Sequence, residues 1–400
     1  MLTTLNARLS LMMFLNYVIW GSWYVTIVTY LTATLKFTGT EAGVIFGTTA
    51  VAAMISPFFV GMICDRFFAT EKVLAGVHFL GAALLYLMTR VTTFGGIYGI
   101  MLAYCLCFFP TIALTNTLTL KNIKDAGSQF PIIRLFATIG WIVVGLIVGW
   151  LKIEASSGQF LLAAGASLAM GLYSLTLPHT PPPARGEPVT VRGILGLDAL
   201  VMLKRQSYLV FILASFFACI PLTFYFTFTN RYLNAVGVEN AAGKMTLGQA
   251  SEVVAMLLMP FIFKRASVRL IFLAGLFSWS LRYLLLAQGN PGAGVWMFYV
   301  AILLHGICFD FFFMTGQLYA DQEAPEALRS TAQGFLTFVT YGVGFFVGSL
   351  LSGIAVDYFT SGGVTDWRSF WLTCSAGAFA ILIMVAVAFR NHTKIKTRAA

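Results

Sequence analysis

Twelve apolar runs, each of about 17 residues or more, dominate this chain of 400 residues, and that is the length a helix needs to cross the hydrocarbon core of a bilayer. They fall at about 9–34, 41–64, 72–90, 95–120, 130–152, 157–178, 207–230, 245–264, 268–288, 293–319, 326–355 and 367–389. In lipid every backbone N–H and C=O must be satisfied within the segment, so such runs fold as helices. The expected class is an all-α membrane protein with twelve transmembrane helices. The residue balance agrees: 59% hydrophobic and 10% charged is too apolar for a water-soluble chain of this length. The first run is too long for a cleavable signal peptide and reads as part of the bundle.

The net charge of +10 could suggest nucleic acid, but the basic residues sort by side of the membrane. With both termini cytoplasmic, the inner segments hold 17 Lys and Arg, among them Lys72, Lys121, Lys124, Lys204, Arg205, Lys264, Arg265 and Arg390, whereas the outer ones hold 6. That bias orients the chain and removes the need for a nucleic-acid partner. The cysteines at 64, 105, 107, 219, 308 and 374 sit in or beside apolar runs and read as small packing residues, so no metal, disulfide framework or cofactor is expected.

Between the sixth and seventh runs lie Pro181, Pro182, Pro183, Arg185, Glu187 and Pro188, which end a helix and keep the chain in water. The expected organisation is a six-helix bundle over 1–180, a cytoplasmic linker over 181–206, a second six-helix bundle over 207–389 and a cytoplasmic tail over 390–400. Weak internal repetition at an offset of about 200 residues supports two related halves: Ser56-Pro57-Phe58 recurs as Met259-Pro260-Phe261, and Gly145…Gly149 as Gly344…Gly348. Parallel repeats of this kind place a substrate site at mid-membrane and alternate access by rocking.

Charged or strongly polar groups inside these runs are costly and read as functional. Gln249 and Glu252, three apart, share a helix face; Asp310 and Arg134 lie in other runs. Arg134, Thr138 and Trp141 follow the spacing i, i+4, i+7 and share a face. Arg282 reads instead as a snorkelling residue near the outer surface. His305 is as well suited to a cavity wall as to packing, His78 reads as a core histidine, and Trp20 and Trp23 read as packing or interfacial anchors. No His or Cys has the company a nucleophile–base pair or metal site needs, so an enzyme is not expected.

Gly61-Met-Ile-Cys-Asp65-Arg66 resembles the cytoplasmic loop motif of the major facilitator superfamily, which implies a cytoplasmic gate at Gly61, Asp65 and Arg66. Further stretches are similar to the nucleoside:proton symporter family within it: Trp20-Gly21-Ser22-Trp23, Pro110-Thr111 to Asn116, Phe130-Pro131 to Trp141, Leu195-Gly196-Leu197-Asp198, Gly248-Gln249-Ala250-Ser251-Glu252 and Phe309-Asp310-Phe311-Phe312. The resemblance covers nearly the whole chain. It implies the major facilitator fold in a bacterial cytoplasmic (inner) membrane, a monomer, and a nucleoside and a proton as partners. It also implies a substrate site drawing on Arg134, Thr138, Trp141, Thr223, Phe226, Gln249, Glu252, His305, Phe309 and Asp310, with Asp310 and Glu252 coupling the proton. Thr223 and Phe226 stand where a characterised member carries amides, and His305 where it carries a tyrosine, so the substrate range is open. A proton-independent facilitator, a carrier of another small polar solute such as a sugar, and a non-transporting receptor remain alternatives.

Overall fold

The computed structural model describes residues 4–63, 68–182, 195–391 and 393–395. The chain divides into two compact units, Met1–Val189 and Thr190–Ala400. Helices of the first unit are α1 (Thr4–Gly21), the short α2 (Ile27–Thr29), α3 (Gly39–Ile63), α4 (Thr70–Met88), α5 (Phe94–Asn122), α6 (Ala126–Trp150) and α7 (Gly158–Ser174). Those of the second are α8 (Gln206–Ala235), α9 (Ala241–Arg265), α10 (Val268–Gln288), α11 (Val295–Phe309), α12 (Thr315–Glu323), α13 (Arg329–Thr337), α14 (Phe345–Tyr358) and α15 (Trp367–Ala388).

Ten helical stretches among the described residues are long and apolar enough to cross a membrane. The first and sixth expected runs are helical but fall short of that measure. Arg8, Asn6 and Asn16 dilute α1, and the run then breaks into turns over 22–26 before α2 and a π-helical turn, Tyr30–Thr34. α7 has 17 residues. Two other runs are continuous through wide turns: α11 passes into α12 through the π-helix Asp310–Met314, and α13 into α14 through Phe338–Gly344.

Close helix crossings fix each unit. In the first, α1 packs along α6; Gly140 meets the backbone at Phe14 so tightly that a Cβ would overlap the Phe14 carbonyl oxygen. In the second, α9 packs on α11, and a Cβ on Gly306 would overlap the Ser251 carbonyl. The Gly306 N–H donates to Ser251 Oγ at 3.0 Å. Small residues let backbones approach where lipid supplies no hydrophobic drive between helices.

Polar ties secure the segments just outside the helices. The backbone N–H of Thr180 donates to Glu71 at 3.0 Å, His179 Nδ1 lies 2.8 Å from the same carboxylate, and Asn122 Nδ2 donates to the Thr180 hydroxyl at 2.9 Å. In the second unit the chain after α15 returns to α10, where the Val268 N–H donates to the Thr393 carbonyl at 2.9 Å, and Asn391 Nδ2 donates to Glu323 at 3.1 Å. Gly196, at φ +65°, opens a 3-10 helix, Leu197–Lys204, where a side chain would overlap Thr331 and Phe335 of α13. Gly61 lies within α3, whereas Asp65, Arg66 and residues 183–194 of the expected linker lie outside the described residues.

Candidate functional site

Asp125 caps α6, accepting from the Ser128 hydroxyl at 2.6 Å and the Gly127 N–H at 3.0 Å. From that start the helix carries Arg134, Thr138 and Trp141, all half-buried, on one face. Arg134 Nη2 donates to the Tyr17 hydroxyl at 2.6 Å, and its guanidinium lies 4.7 Å from the centre of the Tyr17 ring. Trp141 meets Trp20 edge-on at 5.2 Å and Tyr24 at 5.7 Å; Trp20 also touches Tyr17 at 5.6 Å and Phe109 at 5.7 Å. Each such ring pair contributes about 0.5–1.5 kcal/mol beyond burial. The first unit thus presents one guanidinium beside a wall of aromatic rings.

Trp20 and Trp23 part company. Trp23 is fully buried and donates to the Tyr104 hydroxyl at 3.2 Å, as a packing residue would. Trp20 stays half-buried in the aromatic wall, with its indole N–H buried and unpartnered. Tyr17 was not singled out from the sequence, although it stands three residues before Trp20 on the same face of α1.

In the second unit, Gln249 and Glu252 are half-buried on α9, and the Glu252 side chain is 32% exposed. His305 of α11 is buried, with Nε2 3.9 Å from Glu252 Oε2. Its ring stacks on Tyr225 at 5.5 Å and 21°, and lies 5.8 Å from Phe226 and 5.7 Å from Phe309. Asp310 opens the π-helix that follows α11; it is 3% exposed, and its Oδ2 is buried without a hydrogen-bond partner. π-helical turns inside α-helices are frequent at functional sites. Thr223 is fully buried against Gly348 and returns its hydroxyl to the Cys219 carbonyl at 2.7 Å.

Arg282 corrects the sequence reading. Rather than snorkelling to the outer surface, it is fully buried in α10, its guanidinium 3.5 Å from the centre of the Tyr225 ring and Nη1 2.9 Å from His305 Nδ1. A desolvated cation on an aromatic face gains about 2 kcal/mol. Its position well inside the run 268–288 was the available signal; what the sequence hides is the aromatic and imidazole lining that receives it. His78 is buried, as expected of a core histidine, with Nδ1 3.3 Å from the Ser167 hydroxyl.

Comparison with known proteins bears on the whole length. A family model described as "Nucleoside H+ symporter" matches residues 3–394. YegT of Escherichia coli is 38% identical, the match covering 96% of this chain and 94% of that one. The xanthosine permease of Escherichia coli is 34% identical over 98% of both. The crystal structure of the nucleoside transporter NupG superposes with a TM-score of 0.90 at 28% identity, covering 97% of this chain and all of that one. A family match running from the start of α1 past the end of α15 takes in both units and every helix described above, so the chain belongs to the nucleoside H+ symporter family of membrane transporters.

Proposed function

We propose that this protein carries nucleosides across a bacterial inner membrane together with a proton, by alternating access, working as a monomer with both termini cytoplasmic. The family match carries the activity class. The placement of the acids supports its coupling: Glu252 and Asp310 lie in the second unit within two of its apolar runs. The greater number of Lys and Arg in the segments assigned to the inner side supports the orientation.

Each unit, taken by itself, holds side chains that suit part of a nucleoside. In the first, Trp141 and Trp20 offer ring faces for a base, while Arg134 and Thr138 offer donors to its carbonyls. In the second, Gln249 and Glu252 accept from ribose hydroxyls, and the rings of Phe226 and Phe309 lie against His305. Asp310 is the proton carrier. A buried carboxyl group with one oxygen unpartnered is held at lower cost with its proton than as a bare anion, and Glu252, more exposed, serves sugar and proton in turn. Thr223, sealed against Gly348, acts in packing.

Uptake of labelled uridine and adenosine into proteoliposomes, with and without an acid-outside gradient, tests this reading. Saturable uptake that the gradient drives above equilibrium is expected. Flux indifferent to the gradient would point to a facilitator, binding without flux to a receptor, and no saturable nucleoside flux would overturn the substrate class.

A further inference from the structure

The roles above leave Arg282 unused, and it is a costly residue to leave without one. A guanidinium in the interior of a membrane helix persists where something specific needs it. Here Nε and Nη2 are buried without an acceptor, and Nη1 lies 2.9 Å from His305 Nδ1. A guanidinium has donors only. Nδ1 must therefore accept, which excludes both the imidazolium and the Nδ1–H tautomer and leaves the ring proton on Nε2.

The ring has little room to choose otherwise. Tyr225 of α8 stacks on one face, Phe226 and Phe309 close on its edges, and α9 presses from the other side at Gly248, where an added Cβ would come within 3.3 Å of the His305 Cβ. Nε2 faces Glu252 of α9 at 3.9 Å, beyond direct hydrogen-bond reach but close enough for one ligand group to engage both.

We propose that Arg282 is a positioning residue for substrate: by donating to Nδ1 it sets His305 as an Nε2–H donor beside the Glu252 acceptor. Resting on the nucleoside reading, this assigns the chemistry of the ligand edge that binds there. It carries an acceptor and a donor on neighbouring atoms. A nucleoside has two such edges, the C=O/N–H lactam of an oxo base and the vicinal hydroxyl pair of ribose.

The test uses the full-length protein in lipid, labelled with ¹⁵N-histidine, with His305 assigned by the signal lost in His305→Gln. Without substrate, at neutral pH, wild-type His305 is expected as the neutral Nε2–H tautomer. An imidazolium or an Nδ1–H ring would overturn the proposal. In Arg282→Met the tautomer signal is expected to become mixed, and Arg282→Lys, which keeps a donor, is expected to restore it in part.

Transport supplies the second readout. His305→Gln keeps an amide N–H where Nε2–H stands and is expected to hold KM within about threefold of wild type, whereas His305→Asn and Arg282→Met raise it about tenfold, the worth of one hydrogen bond. In the His305→Gln background Arg282→Met is expected to change KM less than about twofold, because no tautomer is left to set. An equal cost in both backgrounds would mean a merely structural arginine and overturn the proposal. Inosine, 2′,3′-dideoxyinosine and nebularine separate the edges: the His305→Asn penalty disappears with nebularine if the lactam binds, and with the dideoxy compound if the diol does. A penalty that survives both overturns the ligand assignment. Wild-type protein that moves none of the three counts against the nucleoside reading alone, since the tautomer is read without substrate.

Discussion

The two units carry their interior polarity in different forms. In the first, α6 holds a single cation, Arg134, capped by the Tyr17 phenol, and on the same face the half-buried Trp141, which meets Trp20. In the second, the stretch from α9 to the π-helix after α11 holds the carboxyl groups of Glu252 and Asp310, the imidazole of His305 and the fully buried guanidinium of Arg282, with aromatic rings packed around the last two. A wall of rings with one fixed donor can recognise a flat solute but has nothing to titrate. Acids, one half-buried and one buried, can take up and give up a proton as their surroundings change. On the proposed reading the two units differ in what they add: the first offers rings for a flat base, and the second joins polar substrate contacts to the proton chemistry.

Substitutions at the two faces should therefore fail in different ways. The largest effect is expected for Asp310→Asn, which should abolish gradient-driven accumulation while leaving counterflow exchange partly intact, measured in proteoliposomes loaded with unlabelled nucleoside. Persistence of concentrative uptake in that variant would move the proton elsewhere. Arg134→Gln should act oppositely, raising KM about tenfold through one lost charge-assisted donor while the remaining uptake stays gradient-driven. Trp141→Ala should follow the same pattern more weakly, at about three- to tenfold in KM for the loss of an aromatic contact. Loss of coupling in either variant would erase the proposed division.

How much of this was legible in the sequence also differs between the units. Spacing alone puts Arg134, Thr138 and Trp141 on one face, because an α-helix converts i, i+4, i+7 into a stripe whatever surrounds it, and the structure keeps that stripe on α6. Run lengths marked the spans, yet not the turns over 22–26 that break the first one, where Gly21 and Ser22 sit in sequence that is still apolar on average. In the second unit the decisive feature was the environment of Arg282. Whether an arginine snorkels or turns inward depends on which rings face it from α8 and α11, and periodicity within α10 does not encode them. The π-turn at Asp310 is hidden for the same reason: it is a local choice of hydrogen-bond register settled by packing.

The close crossings allow a like-for-like comparison of stability. Gly140→Ala in the first unit and Gly306→Ala in the second each force a methyl group into backbone, and overpacking of that sort costs about 1–3 kcal/mol. Both should lower the melting temperature in detergent by a few degrees. Gly306→Ala should in addition weaken transport, since it spreads α9 from α11 and with them Glu252 from His305. If Gly140→Ala impaired coupling as strongly, the assignment of proton chemistry to one unit would fail.

The smallest expected effect sharpens the comparison at the helix starts, where the units are alike. Asp125 caps α6 and Asp366 caps α15, and hydrogen bonds hold both carboxyls below the usual aspartate range: foremost the Ser128 side chain for Asp125 and the Ser369 side chain for Asp366. A carboxyl whose folded value is depressed stabilises above its unfolded value, near pH 4, and loses that contribution as pH falls through the folded value. Asp125→Ala and Asp366→Ala should each lower thermal stability slightly at neutral pH, and the difference from wild type should shrink as pH drops below about 4. A difference that stays constant with pH would assign the caps a neutral packing role. Because both residues lie outside the apolar spans, transport coupling should be the same in either variant as in wild type, which separates the scaffold the two units share from the chemistry they do not.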